Sequence, residues 1–371
     1  MIRAPSRTMF SYWGRRGALT QFTLEVARAA ATEPGIAATV SVSRQNESFA
    51  DFVEFGPALF PVETFRTGPG ALLRSWSIPR LRKQLYERIR RDRTQLVIEL
   101  LPHVWSPFVM SVARAAGARY CMIVHDADPH SGDRTAWAKI LFDRPMRWAD
   151  VVVTLSAAVT QRLLNTGRVP EAKLVQLFHP DFTYERKVSE RVASPSKTAP
   201  IRLLFMGRIL PYKGLPLFLD MVERLRAEGI AVEVGVFGEG TLGAHASRLQ
   251  AMGAEVVNRW LSESEIAATL TRFHALVLPY TEASQSGVAA AALGAGLPVI
   301  ATPVGGLVDQ IVDGQTGMIA SDVSARGLSE ATKRLLLHEG TYRSICDTID
   351  RSREQRSMAR FVREIVARSL M

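Results

Sequence analysis

Cysteine is nearly missing from this 371-residue chain: there are two, Cys121 and Cys346, far apart and in no metal-ligand spacing. That excludes a disulfide scaffold, and a reducing compartment is the simplest reading. A charged-then-apolar leader is missing too, because Arg3, Arg7, Arg15 and Arg16 interrupt the N-terminal stretch, so no secretory signal is expected. Long runs of large apolar side chains are also absent. The longest stretch without charge, Ala283–Val308, has the length of a bilayer span but is built of Ala, Gly and Ser with Gln285, Pro298 and Pro303. It reads as strands, loops and a helix inside a folded domain. There is no short-period repeat and no low-complexity tract. A chain with 47% hydrophobic and 22% charged residues is neither disordered nor collagen-like.

What the chain does have is length for two domains and a formal net charge of +10. The charge is uneven. Residues 1–180 hold 24 Lys+Arg against 15 Asp+Glu, whereas residues 181–371 hold 22 against 21. An excess confined to one half points to an anionic partner there. Its main sources are Arg80-Leu81-Arg82-Lys83 and Arg88-Ile89-Arg90-Arg91-Asp92-Arg93, which read either as a solvated helix face or as a peripheral contact with anionic lipid. Nucleic acid is not expected as a partner, because the basic half lacks interleaved aromatics and any known module pattern.

Along the chain, strands alternate with helices. Thr8–Tyr12, Leu96–Leu101, Tyr120–Val124 and Val151–Leu155 read as strands, with helices from about Leu19 to Ala31, from Ser106-Pro107 and after Ser156. Composition then shifts at Thr183–Pro200 to Lys, Glu, Ser and Pro, as a linker would. The alternation restarts with strands Ile201–Met206, Val232–Phe237, His274–Leu278 and Pro298–Ala301 and a helix Leu215–Glu228. A last helix, Arg351–Leu370, carries Met358, Phe361, Val362, Ile365, Val366 and Leu370 on one face. The expectation is two parallel α/β units: an N-terminal domain over 1–182, a linker over 183–200, a C-terminal domain over 201–350 and a terminal helix over 351–371. Ligands of such sheets bind at strand carboxyl ends, so a cleft between the domains is the expected site.

The second half holds the sharpest motif. Strand Ile201–Met206 runs into Gly207-Arg208-Ile209-Leu210-Pro211-Tyr212-Lys213-Gly214 before a helix. Gly207 permits a tight turn, and Arg208 and Lys213 then supply a guanidinium fork and an ammonium point charge, which suit a diphosphate. Next, Leu278-Pro279-Tyr280-Thr281-Glu282 leads to Ser286-Gly287-Val288 at the start of an Ala-rich helix. Free N–H groups at that start attract an anion, and Glu282 can accept bonds from sugar hydroxyls. Gly296-Leu297-Pro298, Pro303-Val304-Gly305-Gly306 and Asp313-Gly314-Gln315-Thr316-Gly317 read as tight turns beside the same site.

This ordered set, together with Phe237-Gly238-Glu239-Gly240, resembles the nucleotide-sugar glycosyltransferases of family 4, which have the GT-B fold: two Rossmann-like domains facing across a cleft, with a C-terminal helix returning to the N-terminal domain. The likeness is strong from Ile201 to Ala320 and weaker before that. It implies that Arg208 and Lys213 bind the donor diphosphate, that Glu282 contacts the donor sugar, and that Gly207, Gly238, Ser286, Gly287 and Val288 line the donor site. The family often carries a second glutamate after the first, holding the ribose. Here that position falls on Ala290 or, anchored on Gly296-Leu297-Pro298, on Ala291.

In the first half, Gly14-Arg15-Arg16-Gly17 lies between strand and helix, where backbone N–H groups approach a phosphate or where a plain turn exposes two arginines. The resemblance implies a glycine loop here, with Gly14, Arg16 and Gly17 toward the donor, and a bond from His125 to the donor sugar. Asp126-Ala127-Asp128, near His125 and His130, is open to three readings: a metal–diphosphate motif, a turn with capping carboxylates, or acceptor contact. His103, after Pro102 near a strand end, reads either as a side chain pointing into the cleft or, as the favoured reading, one with no functional part, and His179 reads as structural, at the exit of the first domain. No metal or other cofactor is expected. The expected function is hexosyl transfer from a nucleoside-diphosphate sugar to a saccharide acceptor, lipid-diphosphate-linked acceptors included, in surface polysaccharide synthesis. Retention at the anomeric carbon and a cytoplasmic location, extending to the inner membrane face, complete the expectation. Two alternatives stand beside it: a non-catalytic nucleotide-sugar-binding partner of another glycosyltransferase, and a sugar-nucleotide epimerase of the same fold.

Overall fold

The structure is a computed structural model that describes residues 4–128, 138–182, 194–196, 199–338 and 340–371. The chain forms two compact units. The first holds the described residues up to Phe178 together with Met358–Met371, and the second those within His179–Ser357.

Each unit is built on one parallel sheet. The first sheet has seven strands, β1 (Ser6–Tyr12), β2 (Ile36–Ser43), β3 (Leu59–Val62), β4 (Leu96–Leu101), β5 (Arg119–Val124), β6 (Val151–Thr154) and β7 (Leu174–Gln176), in the order β3-β2-β1-β4-β5-β6-β7. The second has six, β8 (Ile201–Met206), β9 (Val232–Phe237), β10 (Glu255–Val257), β11 (Ala275–Leu278), β12 (Val299–Ala301) and β13 (Gly317–Ile319), in the order β10-β9-β8-β11-β12-β13. Every pairing is parallel. The Rossmann-like, doubly wound expectation therefore holds for both units.

The central strands are apolar runs because helices cover both faces. Val97, Ile98 and Leu100 on β4 and Leu276, Val277 and Leu278 on β11 are fully buried. The order reverses between β1 and β4 in the first unit and between β8 and β11 in the second. The loops leaving these four strands are where such sheets bind ligands. They contain Gly14–Gly17, His103, Gly207–Gly214 and Tyr280–Gly287, respectively.

Element ends differ from the sequence reading where packing decides. The last helix is Met358–Leu370, not Arg351–Leu370; Arg351 instead closes the helix Thr341–Arg351. Phe361 packs its ring 5.7 Å from Phe22 and 6.0 Å from Phe178, so this helix belongs to the first unit. Residues up to 182 read as the first domain, but Asp181 pairs with Arg356 at 2.8 Å and the Phe182 N–H donates to the Ala290 carbonyl at 3.3 Å. Those bonds tie His179–Phe182 to the second unit. Most of the expected linker lies outside the described residues. The uncharged stretch Ala283–Val308 resolves into loops, the helix Gly287–Gly294 and β12. No helix among the described residues is long and apolar enough to cross a membrane.

Candidate functional site

The second unit's strand ends are packed backbone against backbone. Gly238, after β9, has φ +141°, and a Cβ there would sit 2.0 Å from the Gly207 carbonyl oxygen. The Gly207 N–H in turn donates to the Phe237 carbonyl at 2.9 Å. Gly214 has φ +70°, and a Cβ there would meet the Pro279 carbonyl at 1.8 Å. Only glycine satisfies both demands, since it has no Cβ and tolerates positive φ. The loop after β8 is thereby seated directly on the loop after β11, and the Thr281 N–H donates to the Tyr212 carbonyl at 2.9 Å to close the contact.

That seating fixes Lys213. Its Nζ lies 3.8 Å from the centre of the Tyr280 ring and 5.1 Å from that of Tyr212, two buried aromatics. Ring faces attract the ammonium without neutralising it. No ion pair to a carboxylate engages Lys213 or Arg208 among the described residues. Lys213 is half-buried, and Arg208 is exposed one residue beyond Gly207.

Tyr280 continues the arrangement. Its hydroxyl lies 3.3 Å from the Ser286 Oγ, which accepts the Ala289 N–H at 3.3 Å and so caps the helix Gly287–Gly294. The Ser286 N–H donates to Gln310 Oε1 at 2.7 Å, and Gln310 Nε2 returns a bond to the Ser286 carbonyl at 3.2 Å. Ser286 is therefore buried and engaged by protein. The N–H groups without an acceptor inside the helix are those of Gly287 and Val288 in its first turn. The positive end of the helix dipole lies there as well. Glu282 is exposed on the loop between. Ala290 and Ala291, on which the position of the second glutamate is expected to fall, are buried within the helix.

The first unit's switch point is built from side chains instead. Gly14 packs on the Tyr12 ring, where a Cβ would come within 2.3 Å of the hydroxyl, and its carbonyl accepts the Asn46 Nδ2 at 2.9 Å. Gly17 starts the helix Ala18–Thr32 at φ 104° with no side-chain cap, facing open space. Arg16 is exposed, while Arg15 reaches the Arg66 carbonyl at 2.5 Å. Beyond them Trp13, Phe65, His103 and Trp105 form a ring cluster, with centroids 5.1 to 6.1 Å apart in the pairs Phe65–His103 and Trp13–His103. A cavity of about 340 Å³ adjoins Phe65, lined also by Gln45, Thr64, Arg66, Gly70 and Arg74.

Burial shifts His125, His103 and Glu99 in this unit toward their uncharged forms. His125, 4% exposed, has its Nε2 on the Leu100 carbonyl at 2.8 Å, and desolvation lowers its pKa. His103 is pushed down to about 4 by desolvation, and its Nδ1 accepts the Trp105 N–H at 3.2 Å. Glu99, on β4, is pushed up to about 7 by burial, although the hydroxyls of Ser106 and Tyr120 both donate to it. Asp128 pairs with Arg162 at 2.6 Å and Arg168 at 3.9 Å, so its carboxylate is committed to ion pairs. His130 lies outside the described residues. His179 bonds its Nδ1 to the Pro180 carbonyl at 2.9 Å and packs on Phe182, a structural role.

Sequence reasoning missed Tyr212, Tyr280 and Gln310, which hold Lys213 and Ser286, because aromatic and amide anchors leave no spacing signal. It also passed over Glu99. Its signal was present: an acid inside the apolar run Leu96–Leu101.

Comparison with known proteins agrees with the topology. A model described as "Glycosyltransferase Family 4" matches residues 19–177, and one described as "Glycosyl transferases group 1" matches residues 200–338. A glycogen synthase of Mycobacterium tuberculosis is 31% identical over 144 residues, 38% of this chain and 35% of that protein. A D-inositol 3-phosphate glycosyltransferase of Corynebacterium aurimucosum is 30% identical over 259 residues, 64% of this chain and 60% of that one. The chain thus spans between about a third and three fifths of these relatives. The Anabaena protein HepE, solved with UDP-glucose, superposes with a TM-score of 0.71 at 13% identity, covering 98% of this chain and 99% of its own, a likeness of fold.

Proposed function

Because this chain is a member of the family 4 glycosyltransferases of the GT-B fold, we propose that it moves a hexosyl group from a nucleoside-diphosphate sugar to a saccharide acceptor, with retention at the anomeric carbon. One observation carries the donor side: the unneutralised Lys213 ammonium on the Tyr280 ring, whose hydroxyl touches the cap of the helix Gly287–Gly294. A cation and two open helix N–H groups along one chain of contacts suit the charge that develops on a departing diphosphate. Arg208 adds a second cation from the adjoining turn.

In this reading the bond from the anomeric carbon to the diphosphate oxygen breaks and the acceptor hydroxyl oxygen takes its place. The hydroxyl proton passes to the leaving phosphate, on the face it vacates, so no protein nucleophile is needed. Lys213, Arg208 and the helix start supply the positive charge without a metal ion. Glu282 orients the sugar hydroxyls. His125, kept neutral by burial, serves as a hydrogen-bonding contact to the sugar and not as a cation. The acceptor belongs to the first unit, where the aromatic cluster around His103 offers faces on which a sugar ring stacks. Lipid-diphosphate-linked saccharides of surface polysaccharide synthesis are the acceptor class that suits its excess of positive charge. A cytoplasmic enzyme working at the inner membrane face follows from that choice.

The test is turnover with UDP-, GDP- and ADP-hexoses, with and without EDTA. One donor should be consumed in either condition, with slow hydrolysis even without acceptor. Lys213→Ala should lower kcat/KM by roughly a hundredfold or more, as loss of one oxyanion-type donor does. Near-normal turnover by Lys213→Ala would overturn the diphosphate assignment. Donor interconversion without transfer would point to the epimerase class.

A further inference from the structure

Between β3 and the helix Ile78–Asp92, residues 72–76 keep their large apolar side chains outward. Leu72, Leu73 and Trp76 are 80%, 76% and 75% exposed, and the helix Gly68–Leu73 buries no residue at all. A helix this short draws its stability from packing, yet here the backbone is held by its own hydroxyls. Thr67 Oγ1 accepts the Gly70 N–H at 3.3 Å, Ser75 Oγ donates to the Leu72 carbonyl at 2.7 Å, and Ser77 Oγ donates to the Arg74 carbonyl at 2.7 Å. The local bonds fix a turn whose three large side chains face solvent together.

Between Glu63 and Glu87 the charge has one sign. From Thr64 to Tyr86 there is no Asp or Glu, while Arg66, Arg74, Arg80, Arg82 and Lys83 are present. Of these, Arg82 is tied to the Phe108 carbonyl and to Ser111 Oγ, and Arg74 pairs with Glu63 at 3.3 Å. Arg66 and Arg80 are exposed, and Lys83, also exposed, lies 3.8 Å from Glu87. Farther along, Arg88 pairs with Asp92 and donates to the Pro57 carbonyl, so the second basic run is partly structural. Exposed cations therefore flank the exposed leucines and tryptophan, and a second exposed set, Arg90, Arg91 and Arg93, lies at the far end of the helix Ile78–Asp92.

We infer that Leu72, Leu73 and Trp76 form a wedge that enters the interfacial region of an anionic bilayer, with Arg66, Arg80 and Lys83 on the lipid headgroups around it. Leucine and tryptophan at the acyl boundary beneath a basic rim are what monotopic attachment requires, and each cation near an anionic surface adds to it. The charge complementarity selects a membrane over a second copy of the chain, whose identical basic rim would repel. The same segment lends Gly70 and Arg74 to the cavity beside Phe65, so a lipid-borne acceptor would meet the protein next to its anchor. The inference rests on the peripheral-membrane part of the proposed function and is independent of the donor assignment.

The experiment is co-sedimentation of the full chain with vesicles of equimolar phosphatidylglycerol and phosphatidylcholine, against pure phosphatidylcholine. Wild type should bind the anionic vesicles and shift its tryptophan emission to the blue. The triple variant Leu72→Ser, Leu73→Ser, Trp76→Ser should bind roughly tenfold more weakly or worse, with its circular dichroism and Tm little changed because these side chains are at least three-quarters exposed. Arg80→Ala with Lys83→Ala should weaken binding and reduce its salt dependence. Triple-variant binding equal to wild type overturns the wedge while leaving a purely electrostatic contact standing. Absence of binding to either vesicle overturns both, and donor turnover would still be measurable in solution. A dimer that the triple variant abolishes, without vesicle binding by wild type, would assign the surface to a second copy instead.

Discussion

The two sheets share one strand order about their switch points, yet the loops there are made of different material. In the second unit, Gly207, Gly214 and Gly238 let backbone meet backbone, and the cations Arg208 and Lys213 remain without carboxylate partners among the described residues. In the first unit, rings and buried titratable groups fill the corresponding place: Trp13, Phe65, His103 and Trp105, with Glu99 and His125 beneath. In the proposed reading the second unit's partner is a diphosphate, which is compact and charged, so a rigid backbone cradle with fixed cations can serve any nucleotide sugar. An acceptor differs from enzyme to enzyme, and side chains are where such differences can be written without disturbing the fold.

Four substitutions would break or sharpen this contrast. The largest effect is expected at Gly214. Gly214→Ala forces a Cβ to within 1.8 Å of a carbonyl at φ +70° and should cost roughly 3 kcal/mol or more. By contrast, Gly17→Ala, with open space around it, should cost about 1 kcal/mol. Equal losses in denaturant titrations would remove the distinction between the two loops.

A comparable effect should appear as a pH slope from Glu99. Its folded pKa is about 7 against an ordinary 4.5, so the native state holds a proton that the unfolded chain releases. The stability this contributes is full below pH 4.5 and is lost as pH rises through about 7, by up to about 3 kcal/mol. Glu99→Gln should flatten that part of the stability–pH curve, and an unchanged slope would mean the charge is not being excluded. The smallest effect belongs to Ser286→Ala. Loss of the cap should lower stability by about 1 kcal/mol, with a modest rise in donor KM from a loosened helix start. A collapse of kcat with normal stability would mean that Ser286 touches the substrate directly.

Much of this was legible in the sequence because strands that alternate with helices announce themselves by apolar runs. β4, β8 and β9 fall where Leu96–Leu101, Ile201–Met206 and Val232–Phe237 predict. The strands left out, β2, β3, β7, β10 and β13, are edge or mixed-polarity segments such as Glu255–Val257, which are strands only because a neighbour pairs with them. The break before Met358 was not legible either, since a helix's amphipathic face does not say which unit it covers. At the site, the cations and glycines were visible as a motif. Their supports were not: Tyr280 under Lys213 and Gln310 on Ser286 act across 67 and 24 residues of chain, and only the fold brings them together.

The central claim is that the donor diphosphate is held by the second unit through Lys213 and the start of the helix Gly287–Gly294. Calorimetric titration of UDP, GDP and ADP into wild type, Lys213→Ala and Arg16→Ala tests it most directly. The account predicts that wild type binds at least one of them. Lys213→Ala should weaken that binding by roughly tenfold to a hundredfold, the range of a charge-assisted phosphate contact, and Arg16→Ala should weaken it less. Binding by Lys213→Ala that matches wild type would contradict it.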